Sequence, residues 1–363
     1  MTEVIAPNPR WAVLAPFLGI ALLVIYTLAP GLPGVTLLLV VGLVGSIMAA
    51  VHHAEVIAHY LGEPFGTLVL ALAVTIIEVA LIVSMMLAGG AAAAALARDT
   101  VFAAVMIILN GIIGASLLVG GQRHREQGFN LDGINAALGT LTVIVIVTLI
   151  LPNYSESVPG PVYTSSQLLF VAAVTLLLFG AFTLFQTVGN RDYFLHAQDD
   201  AAKPDTHPIA PTARDALASL GLLLVALVAV VLSAKGISPT IERLVTAFGA
   251  PEATVGILIA AIILLPEAAS AVRAAHANKL QKSLNLALGS AIASIGLTVP
   301  AVAVLAVVMG WPLALGLTVK STVLLILSLF VVSISLRTGR TTKLPGIVHL
   351  VIFAAWLFLS FVP

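Results

Sequence analysis

The sequence predicts an all-α polytopic membrane protein with about eleven transmembrane helices. Of its 363 residues, 60% are hydrophobic and only 9% are charged, and the mean hydropathy is +1.14. Soluble globular chains are about 25% charged, so this composition excludes a water-soluble enzyme and a disordered protein. Aromatic residues make up only 6% of the chain, which disfavours a β-barrel with aromatic girdles.

The charge balance and the missing cysteines exclude further classes of function. Sixteen Lys and Arg residues balance sixteen Asp and Glu residues, so the chain has no basic field that would attract nucleic acid. Without cysteine it forms neither disulfides nor Cys-ligated metal sites. It also has no HExxH, P-loop or GxSxG motif, so we expect neither an enzyme nor a resident cofactor.

Apolar runs separated by polar, Pro or Gly interruptions give the eleven candidate spans. The first run is about 19 residues long and exceeds the 7–15-residue core of a signal peptide. We therefore interpret it as a retained anchor rather than a cleaved signal. In the ninth run Pro300 predicts a kink or tilt. The spans lie near residues 11–29, 33–51, 65–86, 99–121, 131–151, 165–187, 214–234, 252–274, 283–309, 316–336 and 344–362.

Basic residues set the expected orientation, because cytoplasmic loops of membrane proteins are enriched in Lys and Arg. With a cytoplasmic N-terminus, only four of the sixteen basic residues face outward: Arg98, Lys235, Arg243 and Lys320. An odd number of spans then places the C-terminus outside. We expect a bacterial inner (plasma) membrane location.

Two segments suggest an internal repeat, AEVIAHYLGEP at 54–64 and IERLVTAFGAP at 241–251. Coincidence between two amphipathic stretches is the alternative explanation. However, Glu, Gly and Pro are uncommon matches in so apolar a chain, and each segment precedes a span with one acidic residue. Aligned without gaps, the segments share the pairs Glu55/Glu242, Gly62/Gly249 and Pro64/Pro251.

The repeat divides the chain into an N-terminal transmembrane helix (1–32) and two five-helix repeats (33–188 and 214–363). Between the repeats lies a cytoplasmic linker, 189–213, that is rich in Asp, His and Pro. The first repeat begins at the predicted cytoplasmic face and the second at the outer face, so their orientations are inverted. Inverted repeats are typical of transporters that bind substrate near the bilayer midplane.

Glu78 and Glu267 are the residues most indicative of function. Each lies midway through a predicted span, where a carboxylate is costly, and no span has Lys or Arg near its middle. The spacing from Glu63 to Glu78 is 15 residues, as it is from Glu252 to Glu267. They could be protonated acids that only stabilise helix packing. The alternative is a site for a hard cation such as Ca²⁺, whose charge two carboxylates neutralise.

Neighbouring polar groups could complete such a site. Thr75 and Ser270 lie one helical turn from the two acids, and Pro266 frees the carbonyl of Ile262 as an extra oxygen ligand. Hydrogen bonds between helices through small polar residues explain the same pattern equally well. The auxiliary candidates are Thr75, Asn110, Ile262, Ser270, Ser290, Ser294 and Thr298.

A second cluster lies at the predicted cytoplasmic face. Its members share one helical face and include imidazoles, which titrate near neutral pH. They could sense pH or attract cations, or simply form a solvated helix end. The candidates are His52, Glu55, His59 and Glu63.

The run HAEVIAHYLGEPFGTLVLALAVTIIEVALI (53–82), with PEAASAV (266–272) and LNLALGS (284–290), resembles the ChaA-type calcium/proton antiporters of the calcium/cation antiporter superfamily. The resemblance covers essentially the whole chain. It implies exchange of Ca²⁺ for H⁺, with Na⁺ or K⁺ also accepted, and it matches Glu78 and Glu267 to the family's ion-binding glutamates. The common G-N-A/S-x-E pattern is replaced here by VTIIE and ILLPE, which leaves the auxiliary ligands and the ion preference open.

These observations together predict a secondary antiporter that exports Ca²⁺ in exchange for protons. Its expected partners are inorganic cations, protons and the lipid bilayer, with the oligomeric state open. The nearest alternative is a mainly monovalent Na⁺(K⁺)/H⁺ antiporter that uses the same residues. A passive cation channel is a weaker alternative, since inverted repeats and acids able to carry protons favour exchange. An intramembrane hydrolase lacks a recognisable motif.

The predicted orientation can be tested with single cysteines, because the chain has none of its own. An impermeant thiol reagent should label Arg125→Cys only from the cytoplasmic side and Ser157→Cys only from outside. Labelling of both from the same side would mean that the predicted span 131–151 does not cross the membrane, which would contradict the predicted topology.

Overall fold

The computed structural model describes residues 8–29, 32–62, 65–89, 94–194, 211–247, 249, 251 and 253–362. Nearly all regular structure is helical, which confirms the predicted class of polytopic helical protein. The helices are α1 Arg10–Leu28, α2 Val35–Leu61, α3 Phe65–Gly89, α4 Leu96–Met106, α5 Ile113–His124, α6 Leu131–Val145, α7 Ser165–Leu184, α8 Ala213–Ala247, α9 Ala253–Ile263, α10 Leu265–His276, α11 Leu280–Met309, α12 Val319–Ser335 and α13 Lys343–Phe361. Two short strands are β1 Glu126–Gly128 and β2 Arg340–Thr342.

Helices occupy all the predicted spans, but not every described helix is long enough to cross a bilayer. Within the described residues, eight helices pass by length and composition, and a ninth span results if α9 and α10 count as one. The described part of α3 (Leu72–Leu87) and α12 are apolar but shorter. The number eleven therefore stays a prediction.

Several elements differ from the sequence-based boundaries. The second and seventh spans were expected to end near residues 51 and 234, yet α2 continues to Leu61 and α8 to Ala247. The polar residues that follow each apolar run continue the helical backbone hydrogen bonds. Hydropathy locates the apolar part of a helix, so it does not show where the helix itself ends. Part of the predicted linker is also structured, as a 3₁₀ turn at Arg191–Phe194; residues 195–210 lie outside the described ranges.

Two consecutive helices meet at a sharp bend at Leu264, just before Pro266. The segments α9 and α10 are bent by 53° at a one-residue break. Proline has no amide hydrogen and clashes with the preceding turn, which explains a break at this point. Helix α11 continues as one helix through the buried Pro300, and the kink or tilt expected there stays a prediction.

Three π-helical segments interrupt the long helices: Ile107–Ile112 joins α4 to α5, Ile146–Ile150 extends α6, and Phe185–Gly189 extends α7. Such segments are uncommon and often occur at functional positions.

The chain forms two compact units. Unit 1 comprises Met1–Gly90 with Ala202–Ala247, and its helices are α1, α2, α3 and α8. Helix α2 contacts the other three. Its Gly42 lies against Gly19 of α1, where an added Cβ would approach a backbone atom to 3.3 Å. Small residues of this kind bring helix backbones close together in membranes, where lipid competes for apolar contacts.

Unit 2 comprises Ala91–Ala201 with Phe248–Pro363. Its centre is the rod formed by α4, the π segment Ile107–Ile112 and α5, which is almost entirely buried. The rod contacts α9, α10, α11 and α13. Around it, α13 packs on α5 and α7 packs on α11.

Two antiparallel backbone pairings lie at opposite ends of unit 2. At one end β1, which follows α5, pairs with β2, which precedes α13. At the other end Ala314, which follows α11, pairs with Val162, which precedes α7. The amides of Leu315 and Gly316 both donate to the carbonyl of Pro161, at 3.1 and 3.0 Å. These pairings tie loops together that are distant in sequence.

Large apolar side chains remain exposed on the helices of both units. They include Phe17 and Leu18 of α1, Leu177 of α7, Phe330 of α12 and Phe358 of α13, each at least half exposed. A soluble monomer does not leave such faces uncovered, whereas lipid covers them at no cost. The protein is therefore an integral membrane protein.

Candidate functional site

Glu78 lies at the centre of α3 in unit 1, and its residue surface is only 3% exposed. It is the one ionisable residue in the sequence of α3, so no basic residue of the same helix balances its charge. Thr75, one turn earlier, is also buried. Helix α3 packs against α2 and α8. A carboxyl group in this position is costly to ionise unless a cation accompanies it.

Glu267 lies in unit 2, in the first turn of α10 and directly after the break at Pro266. Its side chain is half-buried. The N-terminus of a helix carries a partial positive charge that favours a carboxylate. Pro266 also has no N–H for the carbonyl of Ile262, four residues earlier, so that oxygen lacks its usual helical donor. Broken helices that expose backbone carbonyls beside an acid form the ion sites of several transporters.

Ser270, one turn after Glu267, is placed less favourably. The guanidinium of Arg273 donates to its hydroxyl at 3.2 Å. A fixed positive charge at this distance opposes a second cation. The Ser270 hydroxyl lies one turn from Glu267 along the helix, as predicted, but it already accepts a hydrogen bond from Arg273.

The polar stripe predicted on α11 runs from the half-buried Ser290 through the buried Ser294 to Thr298. Thr298 is fully buried, and within the described part of the chain its hydroxyl has no hydrogen-bond partner. A buried hydroxyl without a partner costs free energy. Among the auxiliary candidates, Thr298 therefore has the strongest physical reason to take a ligand or water.

Asn110 occupies the π segment of the central rod and is completely buried. Its amide nitrogen donates to the hydroxyl of Ser328 on α12 at 2.8 Å, and its oxygen lies 3.2 Å from Nδ1 of His349 on α13. The lone polar amide of this span thus joins three helices. His349 and Ser328 were missed in the sequence, although a histidine inside an apolar span is itself a signal.

Unit 2 contains Glu267 and every auxiliary candidate except Thr75, which lies with Glu78 in unit 1. Helix α10 contacts α5, the π segment and α11, so the elements bearing Glu267, Asn110 and the serine stripe adjoin one another. Within the described ranges no three His, Asp or Glu side chains converge as they do in a resident metal centre.

The predicted histidine face lies on the last three turns of α2. His52 and Glu55 are half-buried and His59 is exposed, while Glu63 lies outside the described residues. The ring of His52 packs near Trp11, with ring centroids 5.4 Å apart. The Nδ1 atom of His59 lies 2.8 Å from the carbonyl of Glu55 on its own helix.

His53, which was not among those candidates, is the completely buried member of the group. Its Nε2 lies 3.2 Å from the carbonyl of Ala12 on α1, and its Nδ1 lies 3.4 Å from the hydroxyl of Ser219 on α8. His53 therefore connects three helices of unit 1. Sequence spacing placed it beside the predicted face, but only the packing shows that it points inward.

Comparison with known proteins agrees with this architecture. The family model described as sodium/calcium exchanger protein matches residues 31–188 and 218–362. The y4hA protein of Sinorhizobium fredii is 47% identical over 359 residues, 98% of this chain and 97% of its own. The sodium-potassium/proton antiporter ChaA of Escherichia coli is 36% identical over 350 residues, 95% of this chain and 94% of its own.

A solved structure shows the same fold. Native YfkE superposes with a TM-score of 0.73 at 19% sequence identity, covering 97% of this chain and 100% of that chain. The resemblance seen in the sequence motifs is thus confirmed at the level of the family and the fold.

The burial of His53 predicts a stability effect that the exposed His59 does not share. Replacing His53 by Ala leaves the carbonyl of Ala12 without its donor and should destabilise the protein by about 1–3 kcal/mol. Replacing His59 by Ala should change stability by less than about 0.5 kcal/mol. Thermal unfolding of the purified proteins in detergent distinguishes them. Equal melting temperatures for the two variants would mean that His53 does not join the helices.

Proposed function

The chain belongs to the sodium/calcium exchanger protein family, and we propose that it exports Ca²⁺ in exchange for protons by alternating access. Glu78 and Glu267 bind either the cation or the protons. No covalent step, enzymatic activity or resident cofactor is needed for this function. Ca²⁺ and protons are its cargo.

One observation carries the proposal: each acid lies within a strongly apolar span. Glu78 is buried at the centre of α3, where it is the one ionisable residue in the sequence of the helix, and Glu267 lies in the first turn of α10, beside the bend that follows α9. Ionisable residues inside membrane spans mark ion pathways and proton relays.

Exchange follows from the chemistry of the carboxyl groups. Ca²⁺ prefers oxygen ligands, and two carboxylates neutralise its charge. When the cation leaves, desolvation favours the protonated acids, so protons replace it. Because the same atoms bind both, the loaded cation and the loaded protons exclude one another. This mutual exclusion is enough to couple the export of the cation to the import of protons.

An inverted repeat, which underlies alternating access in transporters, is supported by two features. The two segments matched by the family model, 31–188 and 218–362, correspond to the two predicted repeats within a few residues. The contacts of unit 2 are also reciprocal: if α5 corresponds to α11 and α7 to α13, then the contact of α5 with α13 mirrors that of α11 with α7. The backbone pairings show the same correspondence: the segment after α5 pairs with the one before α13, and the segment after α11 pairs with the one before α7.

A mainly monovalent antiporter is the second candidate, and one observation favours it. The relative from Escherichia coli, which is similar over 95% of this chain, is a sodium-potassium/proton antiporter. Proteoliposomes under an imposed pH gradient can separate the candidates. Uptake of ⁴⁵Ca²⁺ that exceeds uptake of ²²Na⁺ at equal concentration supports Ca²⁺ export, and the reverse order supports the alternative.

We place the protein in the bacterial inner membrane with a cytoplasmic N-terminus and an outer C-terminus. The distribution of the basic residues supports this orientation. Protons entering down their gradient then drive the cation outward.

Amide substitution tests the role of the two acids. Glu78→Gln or Glu267→Gln keeps the shape and hydrogen-bonding capacity of the side chain but removes the negative charge. Either variant should lose Ca²⁺/H⁺ exchange in proteoliposomes, by at least about a hundredfold, while still inserting and folding. Glu156→Gln, which alters an exposed loop acid, serves as the matched control and should exchange normally. Near-normal exchange by Glu267→Gln would refute its role.

Competition between protons and cation predicts the pH dependence. Each carboxyl that must lose a proton before binding weakens the apparent affinity up to about tenfold per unit fall in pH. Two such groups approach about a hundredfold, and a saturating cation concentration should restore the maximal rate. The half-saturating Ca²⁺ concentration should be measured from pH 6 to 9. A triple variant, His52→Gln with His53→Gln and His59→Gln, should show the same competition. If the half-saturating Ca²⁺ concentration did not change with pH in either the wild type or this variant, protons would not compete with the cation at its site.

A further inference from the structure

A chain of buried hydrogen bonds links α13, the central rod and α12 in unit 2. Nδ1 of His349 lies 3.2 Å from Oδ1 of Asn110. Nδ2 of Asn110 donates to Oγ of Ser328 at 2.8 Å, and Ser328 donates to the carbonyl of Leu324 at 2.7 Å. All three side chains that form the network are completely buried. The exchange mechanism uses neither His349 nor Ser328.

The direction of these bonds fixes the state of His349. Ser328 gives its one hydroxyl hydrogen to Leu324, so it can only accept from Asn110, which therefore presents Nδ2 to it. Oδ1 of Asn110 then faces His349 and needs a donor, and the Nδ1–H tautomer of a neutral imidazole supplies it. The other ring nitrogen, Nε2, is buried without a hydrogen-bond partner in the described part of the chain.

Charge around His349 also favours the neutral ring. Helix α13 packs against α5, the π segment, α9, α12 and β2, and its Trp356 also packs on Phe102 of α4. In their described residues the one carboxylate on these elements is Asp99 of α4, which pairs with Arg98 at 2.8 Å. The other ionisable groups on these elements, apart from His349 itself, are basic: Arg123, His124, Lys320, Arg340 and Lys343. Among these described residues, no carboxylate without a basic partner is available to balance an imidazolium. His349 therefore acts as a hydrogen-bond donor of fixed direction.

The surroundings leave the imidazole little freedom. Helix α13 approaches α5 so closely that a Cβ added to Gly114 would lie 3.0 Å from Cβ of His349, and one added to Gly346 would lie 2.7 Å from the carbonyl oxygen of Gly114. With the helices locked together at these glycines, the His349 ring has one direction in which to donate. That direction leads to Asn110.

Asn110 in turn belongs to a segment that reaches the acid-bearing helix. The π segment Ile107–Ile112 and the following α5 both contact α10, whose first turn carries Glu267. A π segment is a rare interruption of an α-helix and frequently lies at a functional site. The bonds of Asn110 to α12 and α13 join this segment to those two helices. His349 is thus joined to Glu267 through two packed elements.

We propose that His349 is a positioning residue for cation binding: through its Nδ1–H it holds Asn110, and with it the π segment against which α10 places Glu267. The proposal rests on the proposed function. In this role Asn110 acts by placing the backbone, since its carbonyl oxygen is used by His349. His349 does not touch the cation.

Two isosteric substitutions distinguish positioning from other roles. The amide nitrogen of Asn reproduces the position of Nδ1, whereas that of Gln reproduces Nε2 and removes the donor to Asn110. His349→Asn should therefore keep the wild-type half-saturating Ca²⁺ concentration. His349→Gln should raise it about three- to thirtyfold, the range found for changes along packed routes between sites. The maximal rate at saturating Ca²⁺ should fall much less, because the acids are intact.

The half-saturating concentration should be measured both as ⁴⁵Ca²⁺/H⁺ exchange and as Ca²⁺-dependent stabilisation of the purified protein against thermal unfolding. Ser328→Ala removes the acceptor for Asn110 from the other side and should act like His349→Gln; it decides the outcome if His349→Gln fails to fold. Equal half-saturation in wild type, His349→Gln and Ser328→Ala would overturn the proposal. Equal impairment of His349→Asn and His349→Gln would overturn it too, since the donor position would not matter.

A failure of the proposed function gives a different result. Wild-type protein would then show neither exchange nor stabilisation by Ca²⁺ or Na⁺, before any variant is compared.

Discussion

An ionisable acid inside an apolar span is the constraint on which the rest of this molecule depends. Ionised and alone, such a group is too costly to keep in a bilayer, and protonated it is inert. In the proposed function, Glu78 and Glu267 meet this constraint because each receives a cation or a proton in turn. The two are held differently: Glu78 within a continuous helix and Glu267 at the start of a helix broken at Pro266.

Close packing is what allows the remaining polar groups to be buried. The central rod of unit 2 carries Asn110 into the interior, where His349 and Ser328 satisfy it. Gly114 and Gly346 bring the backbones of α5 and α13 near enough for that contact. In unit 1 the buried His53 likewise has partners on two other helices: its ring nitrogens lie near the carbonyl of Ala12 and the hydroxyl of Ser219. Asn110 and His53 thus have their partners on other helices, which couples the positions of those helices.

Hydropathy predicted the helical class, and helices lie at each predicted span, because apolar runs and their interruptions are local properties of the chain. It could not predict the ends of α2 and α8, where helical bonds continue past the apolar run, or the 53° bend between α9 and α10. Both acids were singled out by their cost in lipid and by their matching places in the predicted repeats, and their role as ion ligands stays a prediction. The buried contacts of His53, Ser328 and His349 were not predicted, since whether a polar residue points inward is decided by packing partners distant in sequence.

The two halves of the chain share few identical residues, yet the contacts of unit 2 repeat. A loop after α5 pairs with the one before α13, and a loop after α11 pairs with the one before α7. Pairing through the backbone does not require particular side chains, so it can outlast sequence change that erases most identities. The side-chain contacts can differ between the halves. Where α13 packs on the rod, His349 contacts Asn110, whereas in the corresponding contact of α7 with α11, Phe179 packs against Gly296. On the proposed inverted repeat, two halves with the same frame therefore differ in their buried side-chain contacts, each adjusted to its own neighbours.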